Sequence, residues 1–143
     1  MDKSKLNKKD RYMYPAIFDF AEDGISVEFP DLPGCLTCGD NQEDALMMAK
    51  EALSLHLYGL EVDGDNIPDP SPLTNLNVQP NQVVVIIDAW MPPFRHEMEN
   101  KAVKKTLTIP KWLDDHATQH KINFSKVLQD ALKEILGVDK HRL

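Results

Sequence analysis

The stretch that most limits what this chain can become is its C-terminal end, roughly the last forty residues. Val103 to Pro110 alternates like a short strand, and Lys111 to His120 carries a helical pattern. Lys121-Ile122-Asn123 breaks that pattern, and a second helical run from about Ser125 to Leu136 stops at Gly137. One strand and two helices do not close a core. A piece of about forty residues rarely buries enough apolar surface to offset its conformational entropy. A lone strand also leaves its ladder hydrogen bonds unmade. The simplest remedy is a second copy, with the two strands paired antiparallel and the four helices packed beneath them.

The residue pattern fits that solution. Side chains alternate along a strand, so Leu107 and Ile109 share an apolar face while Lys104, Thr106 and Thr108 share a donor-rich one. Lys105 falls on the apolar face at its outer end, where its stem can snorkel. Pro110 lacks an N–H and suits the first turn of a helix. In the second helix Val127, Leu128, Ala131, Leu132, Ile135 and Leu136 form one apolar stripe. Asn123 or Ser125 can cap its start. The arrangement resembles the ribbon-helix-helix (β-α-α) DNA-binding domain, whose two-stranded ribbon enters the major groove. The resemblance implies a homodimer through residues 103–136 and operator DNA read by Lys104, Thr106 and Thr108. Lys105 would lie close to phosphate, as would the helix start at Asn123 and Ser125, whose bare N–H groups suit an anion. The plainer reading is a strand-helix-helix fragment docked on the rest of the chain.

Charge divides the chain at the same place. Residues 1–100 hold seven basic and eighteen acidic residues, a net −11; residues 101–143 hold nine and five, a net +4. A basic end suits DNA and an acidic body suits a basic partner, although acidic residues also serve solubility alone. Charged residues at 27% and hydrophobic ones at 42% are ordinary for a globular protein. No apolar run is long enough to span a membrane. The polar start, Met1 to Arg11, has no apolar stretch behind it and does not read as a secretory signal. A reducing, cytoplasmic setting is therefore expected, and two cysteines suggest no disulfide scaffold.

The body reads as α+β. Met13 to Phe20 forms a strand, Asp23-Gly24 a hairpin turn, and Ile25 to Phe29 the returning strand. Asp31-Leu32-Pro33-Gly34 makes a tight loop, and Cys35 to Cys38 a short third strand. A helix is expected from Gln42 to Leu57 or Leu60, capped by Asp40 with Glu43 three residues on. Its stripe is Leu46, Ala49, Leu53, Leu57 and Leu60. After a proline-rich loop, Val83 to Ile87 is apolar on both faces and reads as a central strand. Met91 to Ala102, with Pro92-Pro93, reads as a linker. The expected division is thus 1–90, a linker at 91–102, and 103–143.

Phe29-Pro30-Asp31-Leu32-Pro33-Gly34-Cys35, then Thr37, Gly39-Asp40 and a helix containing Glu43, Ala45, Ala49 and Ala52, resembles the HicB antitoxin family. The resemblance covers nearly the whole chain. It implies a body with a partial RNase H-like β-β-β-α-β fold that binds and silences HicA, a small basic mRNA-cleaving toxin. It also implies a C-terminal domain that represses the operon of both proteins. Asp31, Leu32, Pro33 and Gly34, with Glu43 and Asp44 at the helix start, are the candidate toxin contacts. The loop reads equally well as a simple turn between strands.

Two constellations bear on other functions. Asp19, Glu51 and Asp88 echo the order of a two-metal nuclease site. Acidic residues are common here, Glu51 lies off the apolar stripe, and no catalysis is expected. Cys35 and Cys38, with His116 and His120, match a zinc site in composition, but nearly eighty residues part the pairs. On a straight strand the two cysteines would also point to opposite faces. No metal or other cofactor is expected. The alternative is a ribbon-helix-helix regulator whose body senses a metal or small molecule, and only these weak pairs support it. Trp112 could be a surface anchor or a dimer contact.

Overall fold

The computed structural model describes residues 8–138. The chain divides into two compact units, residues 1–101 and 102–143. The first holds β1 (Arg11–Ala21), β2 (Gly24–Glu28), β3 (Leu36–Gly39), α1 (Gln42–Asp63), β4 (Gln82–Trp90) and α2 (Met91–Glu99). The second holds α3 (Lys111–Gln119) and α4 (Phe124–Leu136).

In the first unit the strands form one antiparallel sheet in the order β3-β2-β1-β4. The turn between β1 and β2 is Glu22-Asp23, one residue earlier than its sequence signal, because Gly24 pairs with Ala21. Gly24 then opens β2 at φ +148°, a conformation that suits glycine. The core lies between the sheet and α1. Tyr12, Tyr14, Ala16 and Phe18 of β1 and Ile25 and Val27 of β2 supply the sheet side. Ala45, Ala49, Leu53 and Leu57 supply the helix side, each wholly buried. This row runs at strict i, i+4 spacing, so the stripe begins at Ala45; Leu46, expected in it, is 40% exposed. Two alanines let the helix sit low on the sheet. A Cβ on Gly39 would lie 2.4 Å from the Ala45 nitrogen, so only glycine permits that approach.

Two expectations are corrected here. β4 is an edge strand rather than a central one, with Val83, Ile86 and Trp90 about half exposed. Its apolar residues fill two unequal roles: Ile87 and Ala89 enter the core, while Ile86 and Trp90 lie on the far face with Met13 and Leu36. Residues 91–99, read as linker, form a helix. Pro92 and Pro93 occupy its first turn, where a missing N–H costs no helical bond. Met91 is fully buried, and Phe94 packs edge-on against Tyr58. Arg95 grips Glu61 through two hydrogen bonds of 2.7 and 2.9 Å and Asp10 through one of 2.8 Å. The paired Glu61 raises the Arg95 pKa, so the guanidinium stays charged.

Pro15 sits within β1, where proline normally removes a ladder bond. Here the loss is avoided. β2 pairs with β1 only from Ile17 onward, and Pro15 faces the side where β2 has ended.

In the second unit α3 follows Pro110 directly. Lys121, at φ +54°, turns the chain, with its N–H given to Thr118 and that of Ile122 to Ala117. Asn123 caps α4 by accepting the Lys126 N–H at 3.0 Å, and Gly137 ends it at φ +67°. Residues 101–110 carry no regular secondary structure, so the strand expected from Val103 is not formed in the single chain. A strand is defined by its ladder, and one copy offers no partner strand here.

Candidate functional site

The Asp31–Gly34 loop is a rigid turn. Leu32 gives its N–H to Phe29, and Cys35 gives its own to Leu32, both at 3.0 Å. The Leu32 side chain is 1% exposed and belongs to the core. The Asp31 carboxylate accepts the Ser71 N–H at 2.9 Å and the Ser71 hydroxyl, pinning the proline-rich loop. Pro33 and Gly34 remain on the surface.

The start of α1 is capped one residue later than the sequence reading placed it. Asn41 accepts the Asp44 N–H, and the Asp44 carboxylate accepts the Asp40 N–H, both at 2.9 Å. Asp44 is thus engaged in capping, whereas Glu43 is exposed. Glu43 heads a row at i, i+4 spacing: Glu43, Met47, Glu51 and Leu55, all exposed. Met47 is 65% and Leu55 51% open to solvent. Sequence reasoning passed over Met47 and Leu55. Their signal was this spacing on the face opposite the alanine row.

In the second unit Lys104, Lys105, Thr106 and Thr108 are all exposed. Asn123 spends its side-chain oxygen on the cap, and the Ser125 hydroxyl accepts from Gln129 at 3.0 Å. None of the described side chains from residue 102 onward is buried. Val103, Leu107, Trp112, Val127, Ile135 and Leu136 are each more than half exposed, and Leu132 nearly so. The apolar stripe of α4 therefore has no cover within its own unit.

The other constellations do not assemble. The strand register pairs Asp19 with Gln82 and Asp88 with Met13. Six residues of β1 then part the two carboxylates, about 20 Å. The side-chain amides of Asn81 and Gln82 donate to Asp19 at 2.8 and 2.9 Å. Cys35 is buried with its thiol 3.6 Å from the Ala52 carbonyl, and burial raises its pKa to about 11. Cys38 is exposed on β3. His116 and His120 stack at 4.8 Å in the other unit. Among the described residues no three of His, Cys, Asp and Glu gather as a metal would require. None of the described helices is long and apolar enough to cross a membrane.

This fold has counterparts among known proteins. The profile described as HicB-like antitoxin of bacterial toxin-antitoxin system matches residues 14–132, and the chain belongs to this family. An uncharacterized 14.9 kDa protein from the rep-hol intergenic region of Haemophilus phage HP1 is 34% identical over 98 residues, 68% of this chain and 73% of that protein. Antitoxin HicB 2 of Photorhabdus laumondii subsp. laumondii is 45% identical over 58 residues, 41% of this chain and 42% of that antitoxin. The match therefore spans under half of the Photorhabdus protein. Among solved structures, a chain of the toxin-antitoxin complex from Streptococcus pneumoniae superposes with a TM-score of 0.58 at 25% identity, covering 87% of this chain and 98% of that one.

Proposed function

We propose that this antitoxin neutralises a small basic HicA-like toxin through its first unit and represses its own operon through its second. The exposed row on α1 carries the first half of this reading. It alternates acidic and apolar residues, Glu43-Met47-Glu51-Leu55, on a body of net charge −11. Such a face attracts a basic partner over distance and offers it apolar contact on arrival. Pro33 and Gly34 are secondary contacts. The succession of three strands, a helix and a fourth strand supports a partial RNase H-like reading of the body.

The second half rests on the uncovered stripe of α4 and the unpaired 103–109 segment. A ribbon-helix-helix dimer would cover the first and pair the second, turning Lys104, Thr106 and Thr108 toward DNA bases. Lys105 and Lys126 then lie near phosphate. Each lost base contact is expected to cost about 1–3 kcal/mol.

The test is co-expression with a HicA-like toxin. Growth rescue and co-purification are expected, and a Glu43→Lys, Glu51→Lys double variant should lose both. Rescue that survives the double variant would move the toxin site elsewhere. Operator footprints retained by a Thr106→Ala, Thr108→Ala variant would remove the ribbon face as the DNA reader.

A further inference from the structure

The edge of β1 left bare by β2 is the feature that the antitoxin reading does not use. Along an antiparallel strand, successive residues turn their N–H and C=O groups to opposite sides. Phe20 gives its N–H to Asn81, and Asp10 accepts the Met91 N–H, so even-numbered residues address the β4 side. Arg11, Met13 and Pro15 therefore present their backbone groups to the opposite side. There β2 has ended, its last pair being Glu28 with Ile17.

A cavity of about 450 Å³ opens along this edge. The opposite wall is the 66–70 loop, held at its middle and just past its C-terminal end. The Tyr14 hydroxyl donates to the Pro68 carbonyl, and Asp31 binds Ser71. Lys8, Lys9 and Arg11 line the cavity against a single carboxylate, Asp69. Three cations thus gather in a body whose net charge is −11. Asp10 beside them is already engaged by Arg95.

We propose that this groove binds an extended acidic peptide of a partner protein by strand addition to Arg11–Pro15, in the line β2 vacates. Main-chain bonds to Arg11, Met13 and the Pro15 carbonyl hold the peptide, and Lys8, Lys9 and Arg11 select its charge. Pro15 makes one end of the site acceptor-only, which fixes the register. The groove is distinct from the α1 face proposed for the toxin, and its occupant has the opposite charge.

The probe is acetyl-Glu-Val-Glu-Val-Glu-Val-Glu-amide, titrated into the full chain while amide exchange at Arg11 and Met13 is followed by NMR. Binding should slow both amides at least tenfold, and the Lys-Val counterpart should bind at least tenfold more weakly. Two isomers, N-methylated on every valine or on every glutamate, should differ at least tenfold in affinity, because only one blocks the bonded edge. A Met13→Pro variant removes a groove-facing N–H without touching the β4 ladder and should weaken binding at least tenfold. Equal affinity of the two isomers, binding without protection of Met13, or equal competition by an oligothymidylate of the same charge would each overturn strand addition. The peptide isomers keep the test decisive even if the proline variant fails to fold.

Discussion

Residues 11–99 and residues 102–138 contain similar proportions of apolar side chain but use it differently. The first set closes a core: Ala45, Ala49, Leu53 and Leu57 are sealed against β1 and β2, and Arg95 joins α2 to α1 and the start of β1. The second set has two well-formed helices, of which α4 is capped by Asn123, and no buried side chain among its described residues. Local signals are as strong in α4 as in α1, since both have an asparagine cap and a glycine stop. What differs is the surface available to cover the stripe. Helix formation is thus separable from core formation, and a unit that has only the first needs another surface to complete it.

The comparison breaks most readily at Leu132. In the single chain this residue is 48% exposed, so an aspartate there would cost little. In a shared core it would cost several kcal/mol. Leu132→Asp should therefore abolish self-association and melt α3 and α4 by circular dichroism, with the first unit unchanged. The mirror experiment is Leu53→Ala, at a site with no exposure. It should lower the stability of the first unit by about 2–5 kcal/mol in urea melts and leave association intact. Linked changes in either case would mean that the two units are not independent.

A smaller effect follows from burial of two groups in the first unit. Tyr14 is raised from 10.0 to about 12 and Cys35 from 9.0 to about 11, both mainly by desolvation. Each is neutral when protonated, so the stability it contributes is whole below about pH 9 and is lost as pH rises through 11 to 12. The loss is on the order of 2 kcal/mol for each group. Cys35→Ala should remove the earlier part of that decline in melts between pH 8 and 11. The smallest effect is at Lys121, a left-handed residue between α3 and α4. Lys121→Gly should stabilise the second unit by roughly 1 kcal/mol, seen as a higher melting midpoint of the assembled form.

Much of this was legible from residue order. The β1–β2 hairpin, α1, α3 and α4 all follow from turn residues, caps and periodicity that act within a few residues. The misreadings arose where the answer depends on distant chain. Val83 to Ile87 has the composition of a central strand, but whether a further strand lies beyond it is not written in the strand itself. Pro92-Pro93 reads as a break unless Met91 and Arg95 are known to have partners waiting in the core and on Glu61. Leu32 read as a surface loop residue because its burial depends on core residues distant in the chain. Asn41 and Asp40 compete for one cap, and the close approach of Gly39 to Ala45 favours the later residue. Val103 to Ile109 has strand character but no strand, because a ladder needs a partner strand that the segment itself does not supply.

The central claim is that the second unit is completed by another copy of this chain while the first is complete alone. Sedimentation equilibrium of the full chain at micromolar concentration tests it directly. The account predicts twice the monomer mass of 16.2 kDa, falling to the monomer value in Leu132→Asp while the first unit stays folded. A wild-type chain that sediments as a monomer with α3 and α4 cooperatively folded would contradict it.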